Sequence, residues 1–282
     1  MYVQENRAQI RAHIGRLMHG PRFLKDVVAV VGANYVDAIK ATRFGTDHYS
    51  GAAISFIDGP ALGLTTYVST SEPGTGRLTM APVPATLPLV GNTLEVWPED
   101  TDIEAVNEAI NMAILDVQHL AASAVVQTSP TIDAERKRIT IPATWNMVSR
   151  LTYEYGGFKY KLRPRDPRDR MPWDQLEPET FDIEGSTILV WGSIPASATN
   201  LRLVGYASAS LLANDVTTTP IRSDFLVYKA ASILAQDTIA AELLDPEGSI
   251  RRATFWAQQA ESKKREMNMQ VLANTVRLEE AL

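Results

Sequence analysis

The stretch that decides the fold is WPEDTDIEAVNEAINMAILDV, residues 97–117. Its first part, up to Asp102, contains a proline and several acids that end the β-favouring run before it. Its second part has apolar residues at spacings of three and four. Acids in the first turn and Asp or Thr at the N-cap are typical of a helix start. We therefore expect the strand Thr93–Trp97 to be followed by a helix from Ile103 to about residue 124, some six turns at ~3.6 residues each.

Upstream of this helix, the sequence predicts another helix and a β-rich unit. Residues Gln4 to Met18 carry apolar side chains at helical spacing, and Gly20-Pro21 ends the pattern. The three arginines of this helix fall elsewhere on the helical wheel: Arg7, Arg11 and Arg16. Phe23–Ile39 is compatible with either helix or strand.

Between residues 34 and 97, short β-favouring runs alternate with Gly, Pro, Ser and Thr. Such short, regular spacing predicts a small barrel or sandwich of about five strands. The expected strands besides Thr93–Trp97 are Ala53–Ile57, Leu64–Val68 and Arg77–Ala81.

Downstream of residue 130 the sequence predicts a second antiparallel unit of about six strands, with turns at Gly156-Gly157 and Glu184-Gly185. A helical hairpin follows. Its first helix spans Arg222 to Leu244, and Asp245-Pro246 starts the second, because Asp is a good N-cap and Pro suits the first helical position. Val271–Leu282 has no apolar face large enough for a core and is interpreted as a tail.

These elements predict an α+β fold: a four-helix-bundle body with two inserted antiparallel β-rich modules. No βαβ period is present, which argues against a parallel α/β sheet. The expected segments are 1–33 (N-terminal helix of the body), 34–98 (first β-rich insertion), 99–128 (second helix), 129–220 (second β-rich module), 221–270 (helical hairpin) and 271–282 (tail).

Composition narrows the function classes. The chain has 282 residues, a formal net charge of −6 and no cysteine. Without cysteine there are no disulfides, thiolate metal sites or cysteine nucleophiles. The acidic balance argues against nucleic-acid binding through bulk positive charge. No signal peptide and no apolar run of membrane-spanning length is evident, so we expect a soluble protein made in the cytoplasm, with no membrane contact.

The catalytic inventory is thin, and we expect no catalytic, cofactor-binding or metal-binding residues. The four histidines lie in different segments and lack metal-ligand spacing, which favours surface or capping roles: His13, His19, His48 and His119. Neither glycine-rich segment has a phosphate-loop pattern. A carboxylate-dependent glycoside hydrolase using Glu154 and Asp174 remains an alternative, since paired acids perform that reaction.

The order of several motifs resembles the head-to-tail adaptor (neck) proteins of tailed bacteriophages. The resemblance covers roughly residues 50 to 265 and rests on the motifs taken in order: Trp97-Pro98-Glu99-Asp100, Val106-Asn107-Glu108-Ala109-Ile110, Ile141-Pro142, Leu201–Tyr206, Pro220 to Ile239 and Phe255-Trp256-Ala257. It implies a virion structural protein that forms a ring, usually a dodecamer, docked on the portal protein. Such a ring joins capsid to tail and extends the channel through which DNA passes without sequence-specific binding.

The resemblance also implies contacts with the portal and with a downstream neck or tail protein. The tail is the candidate portal contact, with possible anchors at Val271, Leu272, Val276 and Leu278; the alternative is a frayed terminus. A ring subunit needs two different complementary faces. The candidate acidic face comprises Glu99, Asp100 and Asp102, and the candidate basic face comprises Arg163, Arg165, Arg168 and Arg170.

Other functions compatible with the sequence are a head-tail stopper, a tail terminator, a baseplate component or a solitary module that binds the host surface. The basic segment is also compatible with a solvated loop or a DNA-facing surface.

Overall fold

A computed structural model describes residues 4–118, 123–164, 180–190, 193–239 and 246–280. The chain divides into two compact units. The first contains the residues up to Val117 together with those from Ser210 onward, and the second spans Gln118–Ala209. The second unit is therefore inserted into the first along the sequence.

The first unit contains a closed six-stranded barrel with the strand order β1-β2-β5-β4-β3-β6. Closure follows from antiparallel pairing of β1 with both β2 and β6. The sequence predicted either a barrel or a sandwich of about five strands, and the structure has a barrel of six. The segment Phe23–Ile39, which was compatible with helix or strand, contains β1 and β2. The barrel thus begins before residue 34, the expected start of the insertion. The strands are β1 Leu24–Val31, β2 Tyr35–Ala38, β3 Ala53–Phe56, β4 Thr65–Glu72, β5 Arg77–Met80 and β6 Thr93–Trp97.

Apolar side chains of all six strands fill the barrel interior, including Val28, Val36, Ile54, Val68, Leu78 and Leu94. In β4, buried Thr66 and Val68 alternate with exposed neighbours, as expected for a strand with one face in the core. Gly76 ends the β4–β5 turn with φ 68°, and a Cβ there would lie 2.2 Å from the backbone oxygen of Ala38. Only glycine fits this turn.

Four helices lie in the described part of the chain, all in the first unit: α1 Arg7–His19, α2 Ile103–Val117, α3 Ser223–Ile239 and α4 Pro246–Glu280. Asn6 and Gln9 form a capping box at the start of α1. The helix α2 ends at Val117, well short of the expected residue 124. The helix α4 continues through residues 271–280, which were interpreted as a tail. None of the helices in the described residues meets the length and apolarity that a bilayer-spanning helix requires.

The predicted four-helix-bundle body is wrong. The described residues hold thirteen strands against four helices, and the two β structures form most of the architecture. The helix α3 packs against α1, α2 and α4, whereas most contacts of α4 are with α3. Part of α1 faces β6 of the barrel through Arg11, a buried arginine that no apolar bundle core would accommodate.

The second unit contains a seven-stranded sheet with the order β7-β13-β9-β10-β11-β12-β8. The expected antiparallel unit is corrected in two respects. The additional strand β7 lies within residues 99–128, the segment assigned to the second helix, and β10 and β11 run parallel. The strands are β7 Ser123–Gln127, β8 Arg138–Thr140, β9 Trp145–Tyr155, β10 Phe158–Pro164, β11 Thr180–Glu184, β12 Thr187–Val190 and β13 Thr199–Ala207.

One face of this sheet carries a hydrophobic core that includes Ile139, Leu151, Leu162, Phe181, Ile188 and Leu203. The predicted turns at Gly156-Gly157 and Gly185 are confirmed, since all three glycines have positive φ. The first turn joins β9 and β10 into a long hairpin.

Candidate interaction surfaces

The described histidines lie far apart in the fold. His13 is exposed and 3.6 Å from Glu5, and His48 is exposed and stacks on Phe44. His19 packs edge-on against Trp97, and burial lowers its pKa. Within the described ranges, no three or more His, Asp or Glu side chains are grouped as a metal site. His119 lies outside the described residues.

A cluster of charged side chains is buried where α1 meets β6 and the segment before α3. Arg11 is only 1% exposed. Its Nε donates to Glu95 at 2.7 Å, and its two terminal nitrogens donate to the Asp215 carboxylate at 2.8 Å each. Asn107 of α2 accepts a further bond from Arg11 at 3.0 Å. This buried charge cluster, defined as Arg11, Glu95 and Asp215, ties together distant parts of the first unit.

The two carboxyls of the buried charge cluster have opposite pKa shifts. Burial is the main influence on Glu95 and raises its pKa, although the charges of Arg11 and Lys25 oppose this. Burial also acts to raise the pKa of Asp215, but the hydrogen bonds and charges of Arg11 and Arg7 prevail and lower it. A raised carboxyl pKa often marks a functional acid, yet Glu95 is fully enclosed. The cluster is therefore structural.

The sequence did not reveal this cluster, because Arg11 was expected on an outer face of its helix. An arginine in an amphipathic helix is usually solvated. Its partners Glu95 and Asp215 are distant in the sequence, so no local spacing indicates the contact.

The predicted acidic face lies between β6 and α2. The Asp102 carboxylate accepts from the backbone N–H of Glu104 at 2.9 Å and so caps α2. Asp100 is mostly exposed and 4.0 Å from Arg22, and Glu99 lies beside Gly51. Asp102 thus has a local structural role as the cap of α2, and all three acids are exposed.

The predicted basic face is only partly visible. Arg163 is exposed near the end of β10. Three further predicted residues lie outside the described residues: Arg165, Arg168 and Arg170.

The β9–β10 hairpin has an exposed aromatic face. Leu151 and Leu162 pair in the core, Tyr153 pairs with Tyr160 in the next step outward, and Tyr155 pairs with Phe158 beside the turn. Side chains two residues apart share a face of a strand, so the face that carries the core continues to the end of the hairpin. We call these four aromatic residues, 153, 155, 158 and 160, the aromatic ladder. The sequence showed aromatics in this strand but not that they extend past the core.

Exposed residues also form a stripe along α2. Glu104, Glu108, Met112 and Leu115 are all exposed, and their spacings of four, four and three place them on one side of the helix. We call these residues the α2 stripe. Its first half is acidic and its second half is apolar. Exposed Leu211 is next to Leu212, which is hydrogen-bonded to Asn111 of α2.

The helical hairpin is joined by an apolar cluster and by ion pairs. Ala231 and Ala235 of α3 pack on Ala253 and Trp256 of α4. At the start of α3, Arg222 donates to Glu266 of α4 at 2.7 Å. Because the helices are antiparallel, the residues of α4 beyond Met267 run past the beginning of α3. The predicted anchors Val271, Leu272, Val276 and Leu278 lie on this extension, and their side chains are outside the described part.

The glycosidase alternative gains no site. Glu154 accepts a hydrogen bond from Asn200 at 2.7 Å on the sheet surface, and Asp174 lies outside the described residues.

Comparison with known proteins identifies a family. A family model described as SU10 adaptor protein matches residues 89–279. This range begins just before β6 and contains the α2 stripe, the aromatic ladder and nearly all of α4. No curated protein matches the chain.

Proposed function

The chain belongs to the SU10 adaptor protein family, and we propose that it forms the ring that joins the portal to the tail of a phage particle. Membership supports a structural role at the head-tail junction of a tailed phage. The finer proposal is a closed homo-oligomeric ring, a dodecamer, located in the virion neck. The ring would dock under the portal and continue the DNA channel for packaging and ejection.

The observation that carries the portal contact is the length of α4. It has 35 residues against 17 in α3, which corresponds to about 52 Å against about 26 Å at 1.5 Å per residue. Residues 268–280 extend about 20 Å beyond the Arg222–Glu266 pair at the start of α3. A helix that extends beyond the helix it packs against has a long surface that another protein can contact. We assign the portal contact to this extension, with Val271, Leu272, Val276 and Leu278 as anchors.

The ring contacts are assigned to two faces of opposite charge. Heterologous contacts that close into a ring need two different complementary surfaces on each subunit. The acidic face of Glu99, Asp100 and Asp102 would meet the basic segment that contains Arg163, Arg165, Arg168 and Arg170. Complementary charge gives orientation and partner choice more than affinity.

The acidic balance of the chain suits a protein through which DNA must move. A formal charge of −6 gives little of the counterion-release attraction that holds basic proteins on DNA. We infer that DNA passes through the ring without specific binding.

Electron microscopy of the purified chain, alone and mixed with the portal ring of the same phage, tests the proposal. Closed rings, and stacked rings in the mixture, are expected. The double variant Leu272→Asp/Val276→Asp should still form rings but lose the stack, because it places charges on the α4 extension. Ile250→Asp, at an exposed position elsewhere on α4, should lose neither.

Two results would contradict parts of this proposal. If neither the purified chain nor the particle contains a closed ring of this protein, the proposed function is wrong. If rings of the Leu272→Asp/Val276→Asp variant stack on the portal like the unmodified protein, the assignment of the portal contact to α4 is wrong.

A further inference from the structure

We propose that the aromatic ladder of one subunit docks on the α2 stripe of a neighbouring copy of the same chain. This inference rests on the proposed ring and names one of its subunit contacts. It differs from the charge pairing above because aromatic and apolar side chains, rather than arginines and aspartates, supply most of the contact.

Beyond Tyr153, which packs against the core of the sheet, the aromatic ladder is left uncovered by the described residues. The rings of Tyr153 and Tyr160 stack with centroids 5.0 Å apart and planes at 11°, so the ladder is ordered by its own contacts. Phe158 is 71% exposed, and Tyr155 and Tyr160 are also exposed. Large aromatics dominate interface energetics and are enriched at the buried centres of interfaces. Such a face at the end of a hairpin is suited to contact another protein surface.

The back of the hairpin is basic. Lys159, Lys161 and Arg163 alternate with the aromatic positions of β10 and are all exposed, whereas Glu154 is the acidic residue paired with Lys159 across the hairpin. The hairpin therefore combines an aromatic face with a basic opposite face. Its net charge is positive, which favours an acceptor that is apolar and acidic.

The α2 stripe has both of these properties. Met112 is 54% exposed, and Leu115 and the adjacent Leu211 are also exposed, which gives aromatic rings an apolar surface with a polarisable sulfur. Glu104 and Glu108 continue the stripe toward the start of α2. The helix contains three acids and no Lys or Arg. Its exposed carboxylates can accept hydrogen bonds from the tyrosine hydroxyls, and their negative charge attracts the positively charged hairpin.

The two surfaces differ, and every chain carries one of each. A contact between them is heterologous, so it can repeat from subunit to subunit and close into a ring. The same hairpin could in principle stack on nucleic-acid bases, as aromatic and basic surfaces do. The acidic chain and the presence of a matching stripe favour a second copy over nucleic acid.

Site-directed crosslinking tests this contact, because the chain has no cysteine of its own. The double variant Phe158→Cys/Met112→Cys, assembled and oxidised, should give a series of disulfide-linked oligomers larger than the dimer. Each single variant carries one thiol per chain and can give dimers at most. The matched control Phe158→Cys/Tyr67→Cys, with its second thiol at an exposed aromatic position on β4, should give no such series.

A loss-of-contact variant complements the crosslinking. Tyr155→Ser/Phe158→Ser should raise the concentration needed for ring assembly at least about tenfold, since buried aromatic anchors are typical hot spots. Tyr67→Ser should leave that concentration unchanged. Sizing and electron microscopy across a dilution series measure both.

The outcomes separate this inference from the proposed function. Two results together would overturn the contact and leave the ring proposal standing. Tyr155→Ser/Phe158→Ser would assemble into closed rings normally, and Phe158→Cys, combined with Met112→Cys or with Leu115→Cys, would give no disulfide-linked oligomers beyond the dimer. A loss of single-stranded DNA affinity in Phe158→Ser with rings intact would assign the hairpin to nucleic acid and also overturn it. Absence of any ring would overturn both.

Discussion

The closed barrel and the open seven-stranded sheet of this protein differ in how their edge strands are paired. In the barrel, β1 pairs with both β2 and β6, so all six strands have two neighbours. The seven-stranded sheet ends at β7 and β8, and its β9–β10 hairpin carries an apolar face beyond the core. Free edges and exposed apolar faces invite pairing with other chains. The barrel is complete within one chain, whereas the sheet has free edges and an exposed apolar face that another chain could contact.

The two units also differ in the number of charged side chains that they bury. Five charged side chains are buried among the described residues, and all belong to the first unit: Arg11, Asp26, Asp37, Glu95 and Asp215. A buried ion pair is costly to break because the remaining partner keeps an uncompensated charge. The first unit should therefore respond to loss of charge far more than the second.

Arg11→Ala should give the largest effect. Without the guanidinium, Glu95 and Asp215 lose their shared partner inside the first unit, which costs about 3–5 kcal/mol of unfolding free energy. Urea unfolding of the two proteins measures the difference. Arg16→Ala, at an exposed position of the same helix, should change stability by less than about 0.5 kcal/mol. Equal effects of the two substitutions would show that the buried charge cluster contributes no more to the unfolding free energy than an exposed arginine does.

Leu78→Ala and Leu203→Ala compare the two cores directly. Both leucines are fully buried, Leu78 in the barrel and Leu203 in the sheet, so each substitution should cost about 2–5 kcal/mol in its own unit. Hydrogen exchange should rise for residues 24–97 with Leu78→Ala and for residues 123–164 with Leu203→Ala, because compact units open separately. Increased exchange throughout the chain with either variant would mean that the two units unfold as one.

The sequence predicted local structure well where one residue type determines it. The barrel strands from Ala53 onward, the turn at Gly156-Gly157 and the start of α4 at Pro246 each follow from β propensity, positive φ or a fixed proline φ. The end of α2 was placed too late because the residues after Val117 continue an apolar, alanine-rich pattern. Periodicity alone does not reveal that Ser123–Gln127 forms β7.

The features that the sequence did not predict depend on long-range contacts. The four-helix bundle was inferred from helix number and apolar stripes, but those stripes do not show whether a helix faces another helix or a barrel strand. Arg11 is buried only because Glu95 and Asp215 reach it from distant segments. The aromatic ladder became recognisable once the register of β9 and β10 showed Tyr155 beside Phe158. Of the candidate site, the acidic face was visible in the sequence and the α2 stripe was not.

Asp215→Asn should have a smaller effect than the leucine substitutions, and one that depends on pH. The substitution keeps the shape of the side chain but removes the charge that Arg11 and Arg7 contact at 2.8 and 2.9 Å. Hydrogen bonds to charged groups contribute about 1.5–3 kcal/mol each, and the retained amide oxygen still accepts. At neutral pH we expect a loss of about 1.5–3 kcal/mol, measured by urea unfolding.

The sign of the pH dependence follows from the lowered pKa of Asp215. Between that pKa and the ordinary value of about 3.9, the unfolded chain binds the proton more readily than the folded chain, so the stabilisation is complete above this window and disappears as the pH falls through it. The difference between the unmodified protein and Asp215→Asn should therefore be constant from neutral pH to about pH 5 and shrink in stronger acid. Glu95, whose pKa is raised, is present in both proteins, so its opposite contribution largely cancels in this difference. A difference that stays the same down to the acid transition would show that the Asp215 charge is not what holds α1 to the segment before α3.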